Sequence, residues 1–111
     1  MINKSELYNN LLDFYENLLT EKQKLVAHMY FREDYSLSEI AEHTLSSRSA
    51  VHDSIQRVES ILDSYEKELK CYQRFILRQE YYKMLLDLDI PEVKIIVDNL
   101  IKNEYKEKKY E

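Results

Sequence analysis

Three polar side chains recur at helical spacing in the middle of the chain: Ser49, His52 and Gln56. Steps of three and four residues place them on one face of a helix. Each can donate and accept hydrogen bonds, the chemistry needed to read base edges, and a glutamine can pair with adenine through two bonds. Arg48 and Arg57 fall on the flanks of that face, suited to phosphate contacts. Arg48, Ser49, His52, Gln56 and Arg57 are therefore the candidate DNA-binding residues. Asp53 shares the exposed face and opposes tight binding, because a carboxylate repels phosphate.

A second basic set follows: Lys67, Lys70, Arg74 and Arg78. On one continuous helix they form a stripe that begins about 16 Å beyond Gln56, at a rise of about 1.5 Å per residue. Such a stripe suits a nucleic-acid backbone, including RNA, or an acidic partner. Its plainer reading is a solvated face paired with Asp63, Glu66 and Glu80.

Other chemistry lacks the residues it needs. His28, His43 and His52 share no ligand spacing, and Cys71 is the single cysteine, so neither a metal site nor a disulfide framework is expected. Cys71 has no evident base beside it, which argues against a nucleophile. The chain has no glycine, so it has no glycine-rich phosphate loop. No cofactor is expected, and the reading is of a protein that is not an enzyme.

The elements that must position these residues are helices. A chain of 111 residues with no glycine and one proline is poorly supplied for tight hairpin turns. Its charged fraction of 33% and its many Leu, Ile, Lys and Glu residues also suit helices. The net charge of −5 argues against strong non-specific binding to nucleic acid. The polar, acidic beginning of the chain and its short apolar runs predict no secretory signal, no membrane span and a cytoplasmic protein.

Three start signals punctuate the chain. Thr20-x-x-Gln23 and Ser36-x-x-Glu39 read as capping boxes, and Asp89-x-x-Glu92 repeats the pattern with Pro91 in the first turn. Asn3 or Ser5 can open the first helix. Six helices result: 5–19 with Leu7, Leu11, Phe14, Tyr15 and Leu18 inward; 21–33 with Leu25, Val26, Met29 and Tyr30 inward; 38–43; a long helix from near Ser47; 79–88; and 91–105. Along the long helix, Val51, Ile55, Val58, Leu62, Tyr65, Leu69, Tyr72 and Ile76 alternate in steps of four and three. That heptad seam predicts a helix through Ile76 and a partner for its distal half. The partner is either another part of the chain or a second copy, and a homodimer is expected. One domain over 1–111 follows, with a core at 5–62, a helical extension at 63–105 and a frayed tail at 106–111.

Residues 36–62 have the marks of a helix-turn-helix. Ala41 supplies the small residue at the helix crossing, and Leu37, Ile40, Val51 and Ile55 supply the inward apolar groups. Ser46 or Ser47 caps the second helix. Leu19-Thr-Glu-Lys-Gln-Lys24, Ser38-Glu-Ile-Ala-Glu42, Ser47-Arg-Ser-Ala-Val51 and Ile55-Gln-Arg57 together resemble region 4 of bacterial sigma factors. Leu12-x-Phe14-Tyr15-x-x-Leu18-Leu19-Thr20, Asp34-Tyr35-Ser36-Leu37 and Ser64-Tyr65-Glu66-x-x-Leu69 bring the chain closer to the YlxM family over roughly residues 7–86. That resemblance implies an all-α fold, a regulatory DNA-binding role and a link to the signal recognition particle of protein targeting, either as a regulator or as an accessory that binds a protein or RNA component. The turn departs from the family pattern. Thr44-Leu45-Ser46 stands where a glycine or polar residue and then Val or Ile are usual, so the inward apolar position is expected to have moved from Ser46 to Leu45.

Overall fold

A computed structural model describes residues 3–109, with side chains described through residue 105. Among the described residues it holds six α-helices and no strand. They are α1 Lys4–Tyr15, α2 Glu21–Ala27, α3 Leu37–Thr44, α4 Arg48–Leu69, α5 Cys71–Asp87 and α6 Pro91–Lys109. A 3-10 turn, Glu16–Leu18, follows α1, and a π turn, His28–Arg32, extends α2. The chain divides into two compact units, Met1–Lys70 and Cys71–Glu111.

The helix starts follow the local capping chemistry. Asn3 accepts from the Glu6 amide at 2.8 Å and opens α1. The Thr20 and Gln23 side chains each accept from the other's amide, at 3.1 and 3.0 Å. Ser36 and Glu39 do the same at 3.1 and 2.8 Å. Both are complete capping boxes, which satisfy two amides that a helix start leaves without partners. Asp89 does not cap α6. Pro91 opens that helix, so Ile90 holds the cap position and its carbonyl accepts from the Lys94 amide at 3.0 Å. Asp89 lies one residue too early and instead pairs with the Lys94 ammonium.

In the first unit α1, α2 and α3 all pack on α4. The core is Leu11, Leu12, Tyr15, Val26, Ala27, Phe31, Ile40, Val51, Ile55, Val58 and Leu62, with Tyr8 and Leu19 at its edge. Polar ties run along the α1–α4 seam in matching order: Lys4 to Glu59 at 3.3 Å, Tyr8 to Asp63 at 3.0 Å and Tyr15 to Glu66 at 2.7 Å. The Tyr15 ring also stacks on Tyr65, with centroids 5.7 Å apart. Arg32, at the end of the π turn, reaches back to Asn9 at 2.8 Å and Asp13 at 3.1 Å, while His28 meets Glu16 at 2.6 Å.

Three expectations about the packing need correction. Leu18 is exposed, because α1 stops at Tyr15 and the tighter 3-10 turn carries Leu18 outward and Leu19 inward. Leu25 is exposed, because Val26, Ala27 and Phe31 form the inward face of α2 and its π turn. The seam does not run on one helix to Ile76. Lys70 takes a left-handed backbone (φ 57°) and its amide closes on the Glu66 carbonyl at 2.9 Å, which ends α4. Burial along the seam stops accordingly, with Leu62 buried, Tyr65 half-buried and Leu69 exposed.

In the second unit α5 packs on α6. Glu104 accepts from Arg78 at 2.7 Å and from Gln79 at 3.1 Å. Helix α5 begins eight residues before the expected position, at Cys71 rather than Gln79, since the residues assigned to the end of the long helix belong to it. Helix α6 continues to Lys109, beyond the expected end at Tyr105. Of the tail expected to fray, Tyr110 and Glu111 lie outside the described residues.

Candidate nucleic-acid interface

The turn between α3 and α4 is built without glycine. Leu45 takes the left-handed position (φ 54°), and both its amide and the Ser46 amide close on the Ala41 carbonyl, the latter at 3.1 Å. This double closure satisfies the Ala41 carbonyl at the helix end and turns the chain sharply. The Thr44 hydroxyl donates to the Ile40 carbonyl at 2.8 Å and meets Ser46 Oγ, which stiffens the corner. Ser47 then caps α4 by accepting from the Ala50 amide at 3.1 Å. Leu45 does not take up an inward apolar position. It is 94% exposed, because its left-handed backbone projects the side chain away from both helices.

Packing fixes how α4 is rotated. Val51, Ile55 and Val58 are buried, and Ile40 of α3 is fully covered. The opposite face is therefore solvent-facing over its first three turns. Arg48, Ser49, His52, Gln56 and Arg57 are all exposed there. Ser49 Oγ lies 3.3 Å from Ser47 Oγ, and His52 Nδ1 lies 3.7 Å from a carboxylate oxygen of Asp53. The Asp53 side chain is 79% exposed, so its charge belongs to this surface.

Arg57 and Asp53 also line an open cleft of about 420 Å³ between the start of α2 and α4. Lys22 and Gln23 of α2 line its other side. Lys22 is a cation that sequence spacing could not associate with Arg57, since the two lie on different helices.

The four cations of the second basic set are separated by the break in the helix. Lys67 belongs to α4, Lys70 is the left-handed residue after it, and Arg74 and Arg78 belong to α5. Helical spacing therefore no longer puts them on one face. Arg78 is committed to Glu104 through both Nε and Nη2 at 2.7 Å.

Ionisation at the module's edge follows its hydrogen bonds. The Ser36 amide and hydroxyl hold the Glu39 carboxyl below its ordinary value. No group of three or more His, Cys, Asp or Glu side chains that could hold a metal ion occurs among the described residues. None of the described helices is long and apolar enough to cross a membrane.

A short helix and a long one meeting at a sharp turn, the second rotated so that a polar face points outward, define an all-α helix-turn-helix protein. Comparison with known proteins agrees. Residues 2–109 match the family model described as "Putative helix-turn-helix protein, YlxM / p13 like". A UPF0122 protein of Bacillus licheniformis is 40% identical over 103 residues, covering 91% of this chain and 96% of the relative. Relatives of the same family in Staphylococcus epidermidis and Streptococcus agalactiae are 45% and 43% identical over 86 residues each, with 78% of each relative covered. The chain belongs to the YlxM / p13-like helix-turn-helix family.

Proposed function

We propose that this protein is a cytoplasmic regulatory protein that binds duplex DNA through the outer face of α4 and catalyses no reaction. One observation carries the reading. The five polar side chains at the start of α4 stand exposed beside a rigid helix-turn-helix corner, while the opposite face of the same helix is locked into the core. Gln56, His52 and Ser49 then read base edges, and Arg48 and Arg57 hold phosphates. Lys22, across the cleft from Arg57, adds a phosphate contact from the supporting helix. Two copies acting together would suit a two-fold target site.

A salt titration of duplex binding tests this. Arg48→Ala should weaken binding across all sequences and reduce the salt slope by about one, while Gln56→Ala should cost about 1–3 kcal/mol and relax base preference. Absence of binding at low salt, or unchanged binding in both variants, would overturn the reading.

The exposed Asp53 carboxylate and the net charge of −5 favour a second reading, an accessory factor of the signal recognition particle that docks on its protein or RNA without specific DNA binding. Co-purification with the particle's GTPase or RNA, with no duplex binding, would select it. The cations Lys67, Lys70 and Arg74 are its candidate contacts.

A further inference from the structure

Asp53 stands four residues after Ser49 and three before Gln56, so the three share one face of α4. Val51, Ile55 and Val58 are buried on the other side of the helix. At about 100° per residue, Asp53 then falls between Ser49 and Gln56 on one side and Arg57 on the other, in the middle of the outward face. Its side chain is 79% exposed, and His52 Nδ1, at 3.7 Å, is too far for a hydrogen bond. The carboxylate therefore keeps its accepting capacity for an outside donor. Ser49, His52 and Gln56 can each donate or accept, and the two arginines only donate, but an ionised aspartate only accepts. Lys22 and Arg57 line the same cleft as Asp53, and their charge offsets part of its repulsion of phosphate.

We infer that Asp53 selects a cytosine: its carboxylate accepts from the cytosine N4 amino group in the major groove of the duplex that α4 binds. Base chemistry narrows the choice. In the major groove only cytosine and adenine present amino groups. The adenine amino group lies between two acceptors, its own N7 and the O4 of the paired thymine, and both repel a carboxylate. The cytosine amino group has an acceptor on one side only, the O6 of the paired guanine. Against any other base the carboxylate is desolvated without a donor, which is a penalty against the wrong sequence. The charge that weakens binding everywhere thereby sharpens it at one position. The inference rests on the proposal that α4 reads duplex DNA, and it names one base that the helix reads.

Fluorescence anisotropy of the full chain at fixed low salt tests it, on a duplex that the wild type selects from a randomised pool. Changing one C·G pair of that duplex to T·A should weaken the wild type about tenfold or more. Asp53→Ala should bind every duplex more tightly and lose that preference. Replacing the same cytosine by pyrimidin-2-one, which lacks only the amino group, should weaken the wild type about tenfold and Asp53→Ala far less. Tighter binding by Asp53→Ala with every base preference unchanged would mean repulsion alone, and overturns the inference while leaving duplex binding by α4 intact. A wild type indifferent to the pyrimidin-2-one replacement overturns it in the same way. A wild type that retains no duplex from the pool overturns both the inference and the reading beneath it, so the two failures are told apart.

Discussion

The Tyr8 hydroxyl donates a 3.0 Å hydrogen bond to the Asp63 carboxylate, which ties the second turn of α1 to the last third of α4. Burial and the neighbouring carboxylate push the Tyr8 phenol up to about 12 from an ordinary 10.0. The fold holds the neutral phenol. Its contribution is therefore complete below pH 10 and is lost as the pH rises from 10 through about 12. Tyr8→Phe should cost about 1 kcal/mol at neutral pH, the net worth of one hydrogen bond. Urea melts from neutral to alkaline pH should show the gap between wild type and variant closing over that window. A constant gap would mean that the phenol does not titrate with unfolding.

The depth of the α4 seam can be read residue by residue. Leu62 is fully buried and Leu69 is 47% exposed, although both hold the same kind of heptad position. Leu62→Ala should cost about 2–5 kcal/mol, from lost burial and a residual cavity. Leu69→Ala should stay within about 1 kcal/mol, since its side chain is half exposed. Equal costs at the two sites would place the end of the core beyond Tyr65.

Left-handed backbone at Leu45 and Lys70 has a cost that glycine would not incur. Both have φ near 55°, at 54° and 57°. A residue with a Cβ pays roughly 1–2 kcal/mol there. Leu45→Gly and Lys70→Gly should each raise the urea midpoint, by about 1 kcal/mol of stability, and Lys70→Val should lower it. A lower midpoint for Lys70→Gly would mean that α4 and α5 join in another conformation.

The capping boxes give a separate measurement. Thr20→Ala and Ser36→Ala should each cost about 1 kcal/mol. At Ser36 the effect carries a pH signature. The Glu39 carboxyl is held low by the Ser36 amide and hydroxyl, so its contribution is present above the ordinary carboxylate value. That contribution is lost as the pH falls through the depressed one. The gap between wild type and Glu39→Ala should therefore narrow in acid, and thermal melts between neutral and acidic pH would detect it.

Much of this arrangement was legible because it is local. Thr20 with Gln23, Ser36 with Glu39, and Ser47 are signals read within one turn, and each marks a helix start in the structure. The steps of four and three through Val51, Ile55, Val58 and Leu62 gave the rotation of α4, and with it the outward direction of Ser49, His52 and Gln56. Less legible was anything set by a partner. Lys22 comes to the cleft beside Arg57 only because α2 packs on α4. The covering of Phe31 and Leu12 likewise depends on the π turn and on α1 meeting α4.

Composition and periodicity alone thus determined an all-α chain, its capped starts and a helix-turn-helix with one polar outer face, since each follows from interactions between residues three or four apart. Tertiary structure decided where α4 stops and which apolar residues are covered. The periodic pattern runs through Lys70 without interruption, because a lysine in left-handed backbone carries no mark in sequence, and only the closure on Glu66 and the packing around it hold it there. Leu77, Tyr81 and Met84 of α5 read the same whether buried or bare, and their exposure is set by how many neighbours the fold supplies.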